Sequence, residues 1–249
     1  MIWPVALTAS NVKSLFFPLR NLRDELLDLD EASYEEVRDS LNDVTTVNRY
    51  LSGYRVLLHH TGEFLKKHQS DRPFTVLDAA TGSADQPVAL VKLARKLGVP
   101  IQVTAIDINS KMLKMAKDEI FQYPEIRLVQ CDVLALPFKD EGFDLAVNNL
   151  SLHHFTWDNA VAIIKAIYKS ARLGFLINDL HRSRIAHAVI FLLTRIFTRN
   201  RLTRYDAPVS VMNAFTPSEF CELAMQAEIT PFEIHRHFTY RIAFLGKKK

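Results

Sequence analysis

Residues 76–87 read VLDAATGSADQP, and these twelve positions decide the fold. The apolar pair Val76 and Leu77 leads to an acid, Asp78. A turn of small residues follows, and from Asp85 onward apolar residues recur at helical spacing. The order is strand, tight turn, helix. A nucleotide-binding turn usually carries two or three glycines, whereas this one has only Gly82, with Ala80 and Ala84 on either side. A dinucleotide fingerprint needs a third glycine for close helix–strand packing, and Asp85 stands there instead. Its carboxylate would face a pyrophosphate of like charge. No G-K-[ST] element follows, so a P-loop is excluded as well. An adenosyl ligand without phosphates fits better. On this reading Ala80 and Ala84 take φ values that alanine tolerates, and only Gly82 permits close approach.

Outward from the turn the same rhythm repeats. Strands are expected at 74–80, 101–107, 126–132, 143–149 and 173–179, with helices at 85–98, 109–121 and 157–171 between them. Asn109 suits an N-cap, and Gly98 and Pro100 close the first of these helices. Alternating strands and helices predict a parallel α/β sheet with right-handed crossovers. Thr216, Pro217 and Glu219 spell a helix start, and 232–246 reads as a closing hairpin turning near 238–239. Upstream, 20–69 reads as helical, with a capping box at Ser33 and Glu36 and a second helix near 53–68. The expected organisation is an N-terminal arm and helical cap (1–69) and a Rossmann-like α/β domain (70–249) whose 180–215 segment is a lid.

Composition narrows the function classes. The chain has 249 residues, 48% of them hydrophobic, with net charge +3, so no charge excess demands a polyanionic partner. Two unpatterned cysteines, Cys131 and Cys221, suggest a reducing, cytoplasmic setting. No apolar run approaches the roughly 20 residues that span a bilayer. The mildly apolar start, 1–17, reads as a docking arm rather than a signal peptide.

Three strand ends carry acids: Asp78, Asp107 and Asp132. Acids often end strands as turn formers, yet ligands of open α/β sheets bind beyond the carboxyl ends of the strands. Asp107 is placed to accept from ribose hydroxyls, Asp132 from an adenine amino group, and Asp78 either to order the loop or to meet a cationic amino group. The segments VLDAATGSADQP, AIDINSKMLKMAK, CDVLALPFKDEGFDLAVNNLSLHHF and LGFLIND together resemble a class I S-adenosylmethionine-dependent methyltransferase. That resemblance implies a seven-stranded sheet with a reversed last strand and S-adenosyl-L-methionine as cofactor. It implies cofactor contacts at Asp78, Ala80, Thr81, Gly82, Ser83, Asp107, Ile108, Met112, Cys131, Asp132, Val133, Asn148 and Asn149. Arg49 joins them as a possible cover for the methionine carboxylate, together with Tyr54. The family flavour is similar to small-molecule methyltransferases of quinone and polyketide pathways, which implies O-methylation of a phenolic, quinone-like or polyketide acceptor.

Histidines at strand ends titrate near working pH, so His153, His154 and His181 are candidate bases for a phenolic proton; direct alignment with no base is an equal alternative. His235 and His237 share a strand face, but with no third ligand in view no metal is expected. Residues 181–204 hold six arginines and no acid around an apolar centre. The favoured reading is a buried helix with solvated arginines; the sharper one is a substrate lid or an interfacial helix touching a membrane. No nucleic-acid partner is expected. RNA or protein methylation, C- or N-methylation of a small molecule, and a non-catalytic binding role are the alternatives.

Overall fold

The computed structural model describes residues 18–20, 22–29 and 31–248; the docking arm expected at 1–17 lies outside them. Seven strands form one sheet, β1 (Phe74–Ala79), β2 (Ile101–Asp107), β3 (Ile126–Gln130), β4 (Phe143–Asn149), β5 (Ala171–Leu180), β6 (Phe232–His237) and β7 (Arg241–Lys247). Their order is β3-β2-β1-β4-β5-β7-β6. The first five run parallel, and β7 enters antiparallel between β5 and β6. The order reverses between β1 and β4, so the crevice for a ligand opens beyond Asp78, Asp107 and Asn148.

Alternation along the strands divides the core in two. Leu77, Ala79, Phe175 and Ile177 face α5 (Trp157–Ser170) and α8 (Pro217–Gln226). Phe74, Val76, Leu145 and Leu176 face α2 (Gly53–Lys67) and α3 (Asp85–Leu97). That period of two is what a strand covered on both faces requires. Between β2 and β3 runs α4 (Ser110–Glu119), capped as expected by Asn109. Gly174 holds φ 146°, and a Cβ there would lie 2.2 Å from the Gly246 carbonyl oxygen, so only glycine lets β7 approach β5 so closely.

At the amino end of the sheet, Asp144 is fully buried and gathers five donors. Arg72 reaches it with two nitrogens at 2.6 and 2.7 Å, Arg172 at 2.6 Å, and the Thr75 amide and hydroxyl at 2.9 and 3.1 Å. It ties the starts of β1, β4 and β5 together. Burial alone would raise its pKa; the Arg72, Thr75 and Arg172 contacts outweigh that and hold it well below the usual carboxylate range.

The N-terminal region departs from expectation. Helix begins at α1 (Tyr34–Tyr50), on the capping box of Ser33 and Glu36, and not at 20. Upstream, the Leu26 and Leu27 amides donate to Asp206 at 2.7 and 3.1 Å instead of to carbonyls one turn back. A side-chain acceptor has outcompeted the helix there. Residues 181–204 are also not one buried helix: α6 (Arg184–Phe197) and α7 (Arg201–Asn213) are capped separately by Ser183 and Asn200. Only Ala186, Ile190 and Thr194 of α6 are buried, while Ile185, Val189, Leu192 and Ile196 expose 47–62% of their surface. No helix among the described residues is long and apolar enough to cross a membrane.

Candidate active site

The turn after β1 keeps the shape of a glycine-rich loop without the glycines. Ala80, Gly82 and Ala84 have φ of 59, 57 and 60°, so the expected negative φ at both alanines is wrong. Each alanine accepts a left-handed conformation costing about 1–2 kcal/mol. The surroundings impose it: the Thr81 amide donates to the Ile106 carbonyl at 2.8 Å, and the Gly82 amide to Asp107 Oδ2 at 2.8 Å. The methyl groups were legible in the sequence; the hydrogen bonds that overrule their preference were not.

Asp107 thereby joins two loops. Its other oxygen accepts from the Asn109 amide at 2.8 Å, and burial raises its pKa. Beside it Ile108 is 65% exposed, an apolar face at the crevice. Asp132, after β3, accepts from the Leu134 amide at 2.9 Å and so caps a short helical turn; Cys131 is half-buried beside it, and Val133 packs into the core. Ser83 donates to Asp85 at 3.4 Å, and the Tyr54 hydroxyl donates to Asp85 at 2.5 Å. Tyr54 is thus committed to the loop, and Arg49, at the end of α1, is exposed. Met112 is buried against Val37, Met115 and Leu202, packed toward the N-terminal cap.

Across the carboxyl ends of β1, β4 and β5 runs a chain of amides. Asn178 donates to Asn149 Oδ1 at 3.3 Å, and Asn149 donates to Asp78 Oδ1 at 3.5 Å. Asn148 spends both N–H groups, on the Ala79 carbonyl at 2.8 Å and on Ser151 at 2.5 Å. Among the described residues, four buried carboxylate and amide oxygens of this neighbourhood have no hydrogen-bond partner, Asp78 Oδ2, Gln86 Oε1, Asn148 Oδ1 and Asn178 Oδ1, and neither has the Thr81 hydroxyl. The four carboxylate and amide oxygens are acceptors only, and the hydroxyl can act either way. Leaving buried acceptors unmatched costs about 1–3 kcal/mol apiece, so the pocket is built for a group rich in donors. Burial also lifts the Asp78 pKa to about 7, as expected for a carboxylate waiting for a cation.

The three candidate bases have separate fates. His153 is buried; its Nδ1 lies 2.6 Å from Asp179 and its Nε2 3.7 Å from Glu25. Burial alone would lower its pKa, but the two carboxylates raise it to about 10, so the ring is already protonated and is not a base. His181 is buried at the end of β5, where burial and the charges of Arg236 and Arg182 lower its pKa to about 4, too weak to hold a phenolic proton. His154 keeps a side chain 26% exposed, with Nδ1 2.9 Å from Asp28. Glu25 and Asp28 arrive from the segment before α1, where the sequence pattern predicts helix. Arg20 anchors that segment by donating to the His153 and Phe155 carbonyls at 2.9 and 2.7 Å.

Residues 76–174 match a family described as a methyltransferase domain. That stretch, less than half of the chain, is similar to class I S-adenosylmethionine-dependent methyltransferases. It is 26% identical over 119 residues to a demethylmenaquinone methyltransferase of Lysinibacillus sphaericus, covering 47% of this chain and 49% of the relative. It is 32% identical over 123 residues to a 2-phytyl-1,4-naphtoquinone methyltransferase of Nostoc, covering 48% and 49%. The chain thus spans about half the length of these curated relatives. Among solved structures, the plantazolicin methyltransferase in complex with SAH superposes with a TM-score of 0.65 at 13% identity, covering 90% of this chain and 93% of that one. The methyltransferase domain of the citrinin polyketide synthase gives 0.58 at 10% identity, covering 75% and 50%.

One further cluster lies on the other side of the sheet's edge and was not legible in the sequence. His60 of α2 brings its Nε2 to 3.3 Å from His237 Nε2, and its ring lies 5.0 Å from that of His235. The third histidine absent from the strand pattern therefore comes from a helix 177 positions away. Burial, reinforced by His235, His59 and His237, lowers the His60 pKa to about 4. These rings line a cavity of about 440 Å³ against edge strand β6. No orphaned acceptor of the amide chain lines it.

Proposed function

We propose that the chain transfers a methyl group from S-adenosyl-L-methionine to a lipophilic small molecule of phenolic or quinone-like type, by O-methylation. The four unmatched acceptor oxygens beyond β1, β4, β5 and at the start of α3 carry this reading. They suit the cofactor's methionine ammonium, which brings three N–H donors and a positive charge. Asp78, Asn148 and Asn178 would hold that group, Asp107 the ribose, and Ile108 and Asp132 the adenine. Bound there, the cofactor supplies an electrophilic methyl group on sulfur. The chain's own residues orient the acceptor and exclude water from it. With His153 already protonated and His181 a weak base, the acceptor is held in line in its ionised form, without either of these histidines taking its proton.

Titration calorimetry with S-adenosylmethionine between pH 5.5 and 8.5 tests the cofactor site. Asp78 titrates near 7 in the free protein, and a cationic ligand favours its charged form. Affinity should therefore rise with pH up to about 7 and level off above it. A flat profile, or one lost equally in Asp78→Asn and the parent, would place the ammonium elsewhere. The same raised pKa means that Asp78 costs stability above its unfolded value near 3.8, most fully above 7.

The apolar stripe of α6 supports a greasy acceptor drawn from a lipid surface. Ile185, Val189, Leu192 and Ile196 recur once per turn, Phe197 is 79% exposed, and Arg184, Arg195 and Arg199 flank them on the exposed side. Such a helix lies in the headgroup region, with its arginines toward anionic lipid. Flotation with phosphatidylglycerol vesicles should retain the chain, and Leu192→Glu with Ile196→Glu should release it. Retention by the double variant would remove α6 from this role.

A further inference from the structure

Both histidines after β4 present the same construction. His153 Nδ1 is held by Asp179 at 2.6 Å and His154 Nδ1 by Asp28 at 2.9 Å. A carboxylate on Nδ1 fixes ring orientation and directs Nε2 outward, the arrangement found behind metal-ligating histidines. Here both Nε2 atoms point at one oxygen. Glu25 Oε1 lies 3.7 Å from His153 Nε2 and 3.9 Å from His154 Nε2, too far for hydrogen bonds to either. Its short hydrogen bond goes to the Ser210 hydroxyl, at 2.5 Å.

Glu25 is not drawn to this point by the rings. The Leu26 and Leu27 amides on Asp206 fix the chain on one side of it, and on the other the Arg23 amide donates to Asn213 at 3.0 Å. The carboxylate is thus set in place by the arm's docking on α7. Ligand atoms of Glu25, His153 and His154 all lie within 4.8 Å of one another, and Glu25 and His153 are 5% and 3% exposed.

We propose that Glu25, His153 and His154 form a site for one divalent transition-metal ion of the zinc type. Two imidazoles and one carboxylate are a common three-residue set for such an ion, with a fourth position left open. Ion-to-ligand distances of about 2.0–2.2 Å put tetrahedral ligand atoms about 3.4 Å apart, so the three groups, now within 4.8 Å of one another, close on an ion by side-chain adjustment of about an ångström. Binding displaces the proton of His153 to solvent, and the three carboxylates around the rings then face the ion's charge in its place. On the methyltransferase reading, an ion held by these three residues would lower the pKa of an acceptor hydroxyl bound to it and so would favour its ionised form at neutral pH.

The test uses the full chain stripped with a chelator and titrated with Zn²⁺ by calorimetry, with metal content by mass spectrometry. One ion per chain is expected. His154→Ala should weaken binding at least 100-fold. Asp28→Asn, which leaves all three ligands intact and alters a side chain 54% exposed, should weaken it about 10- to 100-fold. His235→Ala should leave it unchanged. Co²⁺ in place of Zn²⁺ should give the visible absorption of a four-coordinate site, lost in His154→Ala. Circular dichroism checks that the variants fold; should His154→Ala fail, Asp28→Asn and the Co²⁺ spectrum decide. Absence of a stoichiometric site, or binding that survives His154→Ala and Asp28→Asn, or loss in His235→Ala, overturns the proposal. The zinc isotherm needs neither cofactor nor acceptor, so it fails or holds independently of methyl transfer.

Discussion

Asp107→Ala is expected to weaken S-adenosylmethionine binding by about 2–3 kcal/mol, roughly 30- to 150-fold. Part of this is the lost acceptor for the ribose hydroxyls in the proposed site. The rest comes from the protein, because Asp107 also takes the Gly82 amide and the Asn109 amide, each at 2.8 Å. Without it the loop bearing the strained alanines loses a hydrogen bond that holds its shape. Calorimetry measures the affinity, and a thermal melt without cofactor separates the two contributions. Asp107→Asn keeps one acceptor oxygen and should lose about tenfold. Unchanged affinity in the alanine variant would mean that the ribose lies elsewhere.

Asp144→Ala should produce the largest loss of stability among single changes distant from the cleft, about 2–4 kcal/mol in denaturant unfolding. The carboxylate is fully buried, and its removal leaves the Thr75 amide and hydroxyl without that acceptor. The arginines soften the effect, since Arg72 and Arg172 side chains are 46% and 43% exposed and water can take them back. The pH dependence has a definite sign. A carboxylate whose folded pKa is depressed stabilises the fold above its unfolded value near 3.8, and the benefit fades as pH falls below that. The parent should therefore lose stability toward pH 3 more steeply than Asp144→Ala. Equal slopes would assign acid sensitivity to other groups.

The sheet was legible because its signals are local. Apolar runs ending at acids gave β1 and β2, and the capping residues Asn109, Ser33 and Thr216 marked helix starts that the structure confirms. Asp78, Asp107, Asn148 and Asn149 could be placed at the cleft because strand ends of a parallel sheet share one edge. What stayed hidden is non-local. Asp206 draws in Leu26 and Leu27 from about 180 positions away, which turns a helical pattern into a docked loop. The roles of His153 and His154 depend on Glu25 and Asp28, which approach from 126 or more positions upstream. The φ values of Ala80 and Ala84 follow from strands and loops that fold around the turn. The apolar stripe of α6 was visible, but which side faces water is set by its neighbours.

The two outer strands carry a consequence for handling and for self-association. β3 exposes Arg127 and Gln130 along one margin of the sheet, and β6 exposes Glu233, His235 and Arg236 along the other. Charged side chains on a margin discourage a second copy from adding its own strand there, which would open a route to fibres. Precipitation of this chain in concentrated solution should therefore start from its greasy helix, and detergent or glycerol, rather than added salt, should keep it dispersed.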